Sequence, residues 1–230
     1  MKPYYEDESV TIYHGACCDV IPSLSATAVV TDPPFGIKFD YGINGHNDDP
    51  ETYPAMMREW IALASVVVGD GPFFVWQAMP NAPRWHEWFP KEFRILAACK
   101  GFVQYRPQSI QHAFDPVIFW GKLKGKPSVY HRDYHLQLLA PFGANRTRIN
   151  HPCPRPLEQV TYVVQIGTDA DDVILDPFAG SGTTLLAARM LGRRSIGIEI
   201  DERHCETAAK RVMGIKVSNV GQDSLFEVAV

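Results

Sequence analysis

Two short segments carry residue types at spacings that could do chemistry together. Thr31-Asp32-Pro33-Pro34-Phe35-Gly36 follows the apolar run Ala28–Thr31. Its two prolines restrict the backbone, so the carbonyl of Pro33 can point the same way as the Asp32 carboxylate and leave two acceptors aimed at one spot. An exocyclic amine has two N–H donors to match, and Phe35 offers a flat face on which a base can stack. Asp176-Pro177-Phe178-Ala179-Gly180-Ser181-Gly182-Thr183-Thr184 lies between a strand signal and a helix signal. Gly180 and Gly182 let the backbone approach a ligand closely, and the start of the helix supplies free amide donors. Acidic Glu199 ends the next strand, where a carboxylate can accept both hydroxyls of an adenosine ribose. This second set describes a nucleoside-cofactor site. A dinucleotide loop would need a third glycine where Leu185 stands, and a phosphate-binding P-loop would need a Lys after the glycines. Taken singly, D-P-P-F also reads as an ordinary turn, and the glycine loop as a packing turn.

The elements that must position these residues alternate. Strand signals occur at Val10–Tyr13, Ala28–Thr31, Pro72–Gln77, Phe93–Cys99 and Val117–Trp120, with a helix through Met56–Val68. Leu157, Val160 and Val164 fall on one helical stripe, and Val173–Leu175 and Ser195–Ile198 read as buried strands. Ser181 is expected to cap a helix running to about Leu191. Asp201 is expected to cap a last one, with Cys205, Ala208 and Val212 inward, Lys210 and Arg211 in its final turn and Gly214 as its stop. Such alternation predicts an α/β protein with a three-layer, doubly wound, mostly parallel sheet. Ligands on such sheets bind at the carboxyl ends of the strands.

The 230 residues suit one domain, and 46% hydrophobic with 21% charged residues excludes bulk disorder. The start MKPYYEDESV lacks the pattern of a signal peptide, and no apolar run reaches about 20 residues. A cytoplasmic protein of a bacterium, or of a phage in a bacterial host, is expected. Cys17, Cys18, Cys99, Cys153 and Cys205 contain no C-x-x-C pair, so neither a disulfide framework nor a metal site is expected. A net charge of −4 argues against binding nucleic acid through bulk charge. From Gly121 to Arg155, however, Lys122, Lys124, Lys126, Arg132, Arg146, Arg148 and Arg155 face only Asp133. A basic, DNA-contacting insert at about 121–150 is expected within the single domain 1–230, followed by a tail at about 214–230.

Together the segments resemble the amino-methylating DNA methyltransferases, which act on N6 of adenine or N4 of cytosine with S-adenosyl-L-methionine. The D-P-P-F segment precedes F-A-G-S-G, as in the permuted subgroup called the β class. His151-Pro152-Cys153-Pro154-Arg155-Pro156-Leu157-Glu158 resembles that subgroup's H-P-x-x-K-P segment, with Arg155 where Lys is usual. The resemblance covers about residues 10–35 and 150–213, and it implies the Rossmann-like methyltransferase fold. It also implies that Asp176, Phe178, Ala179, Gly180, Ser181, Gly182, Thr183, Thr184 and Glu199 bind the cofactor. Asp32 and Pro33 would receive the target amine beside Pro34, and Phe35, replacing the usual Tyr, would stack on the flipped base. Gly15-Ala16-Cys17-Cys18-Asp19 resembles a segment touching the cofactor's adenine, but Ala16 replaces its acidic residue.

Adenine N6 is the first expectation, with N4-cytosine methylation as the alternative. An inactive cofactor- or DNA-binding module stays open because of Ala16 and Phe35. Protein-glutamine methyltransferases typically carry N-P-P-Y after the glycine loop, the reverse order. Gln222-Asp223-Ser224-Leu225-Phe226 resembles the pentapeptide that docks bacterial proteins on the sliding clamp, with Gln222, Leu225 and Phe226 as anchors.

Overall fold

The computed structural model describes residues 1–39, 48–100, 113–124, 132–136 and 155–214. In chain order the strands are β1 (Tyr5–Glu6), β2 (Val10–His14), β3 (Ala28–Thr31), β4 (Phe73–Trp76), β5 (Arg94–Cys99), β6 (Phe114–Trp120), β7 (Tyr134–Leu136), β8 (Val173–Asp176) and β9 (Arg194–Glu199). The α-helices are α1 (Cys17–Val20), α2 (Tyr53–Val68), α3 (Leu157–Gly167), α4 (Thr183–Met190) and α5 (Glu202–Met213). Among the described residues these nine strands form one sheet in the order β1-β2-β9-β8-β3-β4-β6-β5-β7.

Strands β2, β9, β8, β3 and β4 are parallel neighbours. β6 runs antiparallel between β4 and β5, which restores the common direction in β5 and β7. The sheet is therefore mostly parallel, as the alternation predicts. Its centre is buried on both faces, which is why β3 (AVVT) and β4 (FFVW) carry no outward polar alternation. Successive residues feed opposite layers. Val29, Phe73, Val75 and Leu175 pack with Met57, Trp60 and Ala64 of α2. Val30, Phe74, Trp76 and Ile174 pack with Val160, Val163 and Val164 of α3 and with Ala187 and Ala188 of α4. α5 closes the second layer beside β2, burying Cys205, Ala208 and Val212 against Val10, Ile12 and Leu185.

Several boundaries differ from the sequence reading. α2 begins at Tyr53 because Pro54 occupies its first turn, where a missing N–H costs no helical hydrogen bond. β6 reaches back through Pro116 to Phe114. Asp201 caps α5 as expected, accepting from the amide of Arg203 at 2.9 Å. Ser181 does not cap α4. Gly182 holds that position with φ 78°, a left-handed conformation that glycine adopts without strain, and no side chain caps the helix. The described part of the expected basic insert does not stand apart, because β7 extends the sheet edge beside β5. Residues 215–230, including Gln222, Leu225 and Phe226, lie outside the described residues. Among the described residues no helix is long and apolar enough to cross a membrane.

Candidate active site

The two segments read from the sequence meet at the carboxyl end of the sheet. β3 and β8 are parallel neighbours, so the residues that follow them emerge side by side. The Thr31 hydroxyl donates to Oδ1 of Asp176 at 2.6 Å, joining the two strand ends one residue before Asp32. Asp176 also receives the amide of Phe178 at 3.1 Å. Burial pushes its carboxyl up to about 6; the hydrogen bonds from Thr31, Thr184 and Phe178 oppose the shift and nearby Asp32 adds to it. A buried carboxylate at this place favours a positively charged ligand, which would supply the charge that burial withholds.

Asp32 has 28% side-chain exposure and is gripped by Arg155. Nε and Nη2 of Arg155 donate to Oδ2 and Oδ1 of Asp32 at 2.6 and 2.9 Å. Burial pushes the Asp32 pKa up, and Arg155 pulls it down. Arg155 also donates from Nη1 to Asp115 at 2.5 Å, and its guanidinium carbon lies 5.4 Å from the centre of the Phe35 ring. The sequence singled out Arg155 only as a departure from Lys. Its partners, 123 and 40 residues away in the chain, gave no local signal.

Behind Asp32 the loop is held by a residue that the sequence reading missed. Asp48 is 5% exposed, and its carboxylate accepts the amides of Gly36 (2.5 Å), Ile37 (3.0 Å) and Phe39 (3.3 Å). Three converging N–H groups make a nest that favours an anion. Gly36 has φ 65°, and a Cβ there would lie 2.5 Å from the Tyr53 ring, so this turn requires glycine. Asn81 donates its side-chain amide to the Phe35 carbonyl at 2.6 Å. Tyr53 donates its hydroxyl to Gln77 at 3.0 Å. Pro33 is buried, and Pro34 and Phe35 are half-buried.

On the other side, Glu199 is 8% exposed and accepts the amides of Gly180 and Asp201, both at 2.8 Å. Each oxygen spends one acceptor direction on these amides, and Nδ1 of His204 stands 3.8 Å from Oε1; the remaining capacity suits a pair of hydroxyls. Ala179 donates to the Ile198 carbonyl at 2.9 Å, so the glycine loop crosses the end of β9. The Phe178 ring meets Trp60 edge-on at 5.6 Å. Gly182 is dictated by packing, since a Cβ there would come within 2.8 Å of the Ala208 Cβ. Ser181 and Thr183 turn away from Asp176. Nη1 of Arg211 donates to the Ser181 carbonyl (2.6 Å) and hydroxyl (2.9 Å) and to the Thr183 hydroxyl (3.2 Å). Beyond β2, the Gly15 amide donates to the Glu199 carbonyl at 2.9 Å, which brings Ala16 and Cys17 to the same edge. Asp19 is exposed.

Of the described basic residues in this stretch, Arg155 joins the site, whereas Lys122 and Lys124 do not. β6 runs antiparallel, so Lys122 and Lys124 emerge at the amino end of the parallel strands, opposite Asp32. There Lys122 pairs with Asp70 at 2.7 Å, and Lys124 pairs with Asp172 at 2.6 Å and Asp171 at 3.6 Å. These two lysines, expected from the sequence to contact DNA, therefore stand at the sheet edge opposite Asp32, because the strand reverses before them. Exposed Arg132 leads into β7 and donates to the Tyr134 hydroxyl at 2.8 Å. Lys126, Arg146 and Arg148 lie outside the described residues.

Comparisons with known proteins converge on one family. A family profile described as a DNA methylase matches residues 136–210, which include the glycine loop and Glu199 but not the D-P-P-F segment. The chain is similar to the type II methyltransferase M.ScaI of Streptomyces caespitosus, at 27% identity over 92% of this chain and 84% of that protein. It is 28% identical to the type II methyltransferase M2.MboI of Moraxella bovis, over 92% and 91% of the two chains. Among solved structures, the M1.HpyAVI–SAM complex matches with a TM-score of 0.68 at 24% identity, over 88% of this chain and 98% of that one, which speaks for the fold. The sheet order, the paired strand ends and these relatives agree in supporting a DNA amino-methyltransferase of the N6/N4 type, which this chain resembles along most of its length.

Proposed function

We propose that this protein transfers the methyl group of S-adenosyl-L-methionine to the exocyclic amine of a base flipped out of DNA, with N6 of adenine as the target. The observation that carries the reading is that Asp176 and Glu199 end β8 and β9 and Asp32 directly follows β3 at the same edge of the sheet, with Thr31 bonded to Asp176. S-adenosyl-L-methionine, when bound, supplies the methyl group and carries a cationic sulfur. The donor set suits it: Glu199 has acceptor capacity for the ribose hydroxyls beyond the two amides it holds, and among the described residues no cation pairs with Asp176, a place that a sulfonium would take. Phe178, Ala179 and Gly180 form the wall between them. Ser181, Gly182 and Thr183 serve by holding α4 and α5 together, and Thr184 by supporting Asp176.

The amine's lone pair is delocalised into the ring, so it is a weak nucleophile. Asp32 and the Pro33 carbonyl accept its two N–H groups and favour the pyramidal form that develops as the new bond grows. Asp48 and Asn81 keep that loop from relaxing, and Phe35 packs beside the target. Transfer then depends on positioning, and the amine proton is released after the methyl has moved. The D-P-P-F segment preceding the glycine loop fits the permuted β subgroup. Arg132, Lys126, Arg146 and Arg148 are proposed for phosphate contact, and Gln222, Leu225 and Phe226 for a sliding clamp. Leu225→Ala with Phe226→Ala should then abolish clamp binding and spare methylation of short oligonucleotides.

Incubation with radiolabelled cofactor and unmethylated DNA, followed by nucleoside analysis, tests the reading. N6-methyldeoxyadenosine is expected. N4-methyldeoxycytidine would establish the cytosine alternative, and label in neither would overturn the proposal.

A further inference from the structure

Arg155 stands just before the Pro156 N-cap of α3, and acidic residues from two strands meet at its guanidinium. It forks onto Asp32 after β3, reaches Asp115 in β6, and through Asp115 meets Lys100 after β5, whose Nζ lies 2.8 Å from the other Asp115 oxygen. Two anions and two cations alternate across the mouth of the site. The Arg155 side chain is only 14% exposed, so the charge of its fork is little screened. A bidentate fork uses one acceptor direction of each Asp32 oxygen and leaves the others free. It therefore fixes the plane of the carboxylate without filling it.

We propose that Arg155 is the positioning residue for Asp32: it holds the carboxylate ionised and in one plane, and Asp115 sets how much of the guanidinium charge Asp32 receives. The proposal deepens the assignment of Asp32 as acceptor of the target amine and rests on it. The groups facing Asp32 agree with this division of labour. Desolvation raises its pKa, Arg155 lowers it through charge and hydrogen bonding, and Asp115 raises it. Asp176 on β8 and Tyr53 on α2 are the further titratable neighbours, each feeling the Asp32 charge. A protonated Asp32 would lose acceptor strength and gain a donor directed at an amine that has only donors to offer.

The test uses the full chain with Arg155→Gln, Arg155→Lys and Asp115→Asn. One readout is the carboxyl titration of Asp32 by carbon NMR without DNA; the other is kcat for methyl transfer against pH at saturating cofactor. Arg155→Gln should move the titration and the acid limb of kcat to higher pH, and Asp115→Asn should move both to lower pH. At neutral pH, Arg155→Gln should lose about 10²-fold in kcat, the scale of an ångström-level misplacement. Arg155→Lys should restore the pH dependence, since it keeps the charge, but recover only part of that loss, since it lacks the fork. An Asp32 titration that stays put in Arg155→Gln, or moves the same way in Asp115→Asn, would overturn the proposal. So would an equal loss at every pH in Arg155→Gln and Arg155→Lys, which would mark structural cement. If Arg155→Gln fails to fold, a downward shift in Asp115→Asn beside a near-wild-type Asp32 titration and a reduced kcat in Arg155→Lys decides. If the wild type methylates nothing, the function reading falls while the NMR titration still judges the bridge.

Discussion

Thr31 and Asp176 share a hydrogen bond of 2.6 Å between strands separated by 145 positions in the chain. Each is the last residue of its strand, so the bond couples the segment that would receive the base to the segment that would receive the cofactor. Separate losses should nevertheless be measurable on the two sides of that bond.

Asp32→Ala should abolish methyl transfer and leave cofactor affinity within a few-fold, because Asp32 faces the amine and the deficit falls on the chemical step. Glu199→Ala should weaken cofactor binding by roughly 1–3 kcal/mol, or about 10- to 100-fold. It also orphans the amides of Gly180 and Asp201, so its urea midpoint should fall as well. Calorimetry with the cofactor checks both, and the reversed pattern would reassign the two carboxylates.

Asp48→Ala should lower stability by about 1–2 kcal/mol, since it leaves three amides without their acceptor at a partly buried turn. Methyl transfer should fall more than cofactor affinity, because the turn carries Asp32 and not Glu199. Urea unfolding and single-turnover rates measure the two effects. A variant with wild-type kcat would mean that the prolines alone hold the loop.

The buried carboxyl of Asp176 makes a signed prediction for stability. With its pKa raised to about 6 in the fold and near 3.8 when unperturbed, the native state keeps a proton that the unfolded chain has released between about pH 4 and pH 6. Stability from this group therefore falls as pH rises through that window and is constant above it. The stability difference between wild type and Asp176→Asn should decline by roughly 3 kcal/mol from pH 4 to pH 7. Asp7 and Asp201, held near pKa 2, act in the opposite sense at lower pH and cancel in the comparison. A difference that rises with pH would refute the burial argument.

Neutralising Lys122 and Lys124 together should leave the slope of log K against log salt for DNA binding unchanged, because both sit at the edge away from Asp32. Anisotropy titrations over a salt series provide the measurement. A slope smaller by about 2 units would mean that DNA also crosses the amino edge of the sheet.

Most of the sheet was legible because its central strands are apolar runs bounded by turn residues, and the D-P-P-F and F-A-G-S-G segments read as chemistry once they are taken together. What was not legible depended on contacts made at a distance. β7 is three residues in a polar stretch and exists by pairing with β5. Asp48 offers only backbone amides as partners, and a lone Asp before Asp49-Pro50 looks like any turn. Arg155 was visible as an unusual residue in a recognisable segment, yet its grip on Asp32 requires β3 and α3 to be neighbours. Ser181 illustrates the converse. Its type suits a cap, but Gly182 in the left-handed conformation ends the turn first and leaves the Ser181 hydroxyl to Arg211.

Arg189, near the end of α4, donates to the Val212 carbonyl at 3.0 Å and forms an ion pair with the Asp7 carboxylate. One guanidinium thus ties the strands that open the described chain to the helix that closes it, at the sheet edge where β2 lies beside β9. A short linker between these two regions, with a new opening cut between β7 and α3, would keep every strand pairing while placing the glycine loop ahead of Asp32 in the chain. The three-dimensional site is thereby indifferent to the order in which its halves are translated, and circular permutation is a route by which the same edge could be reached from a differently ordered gene.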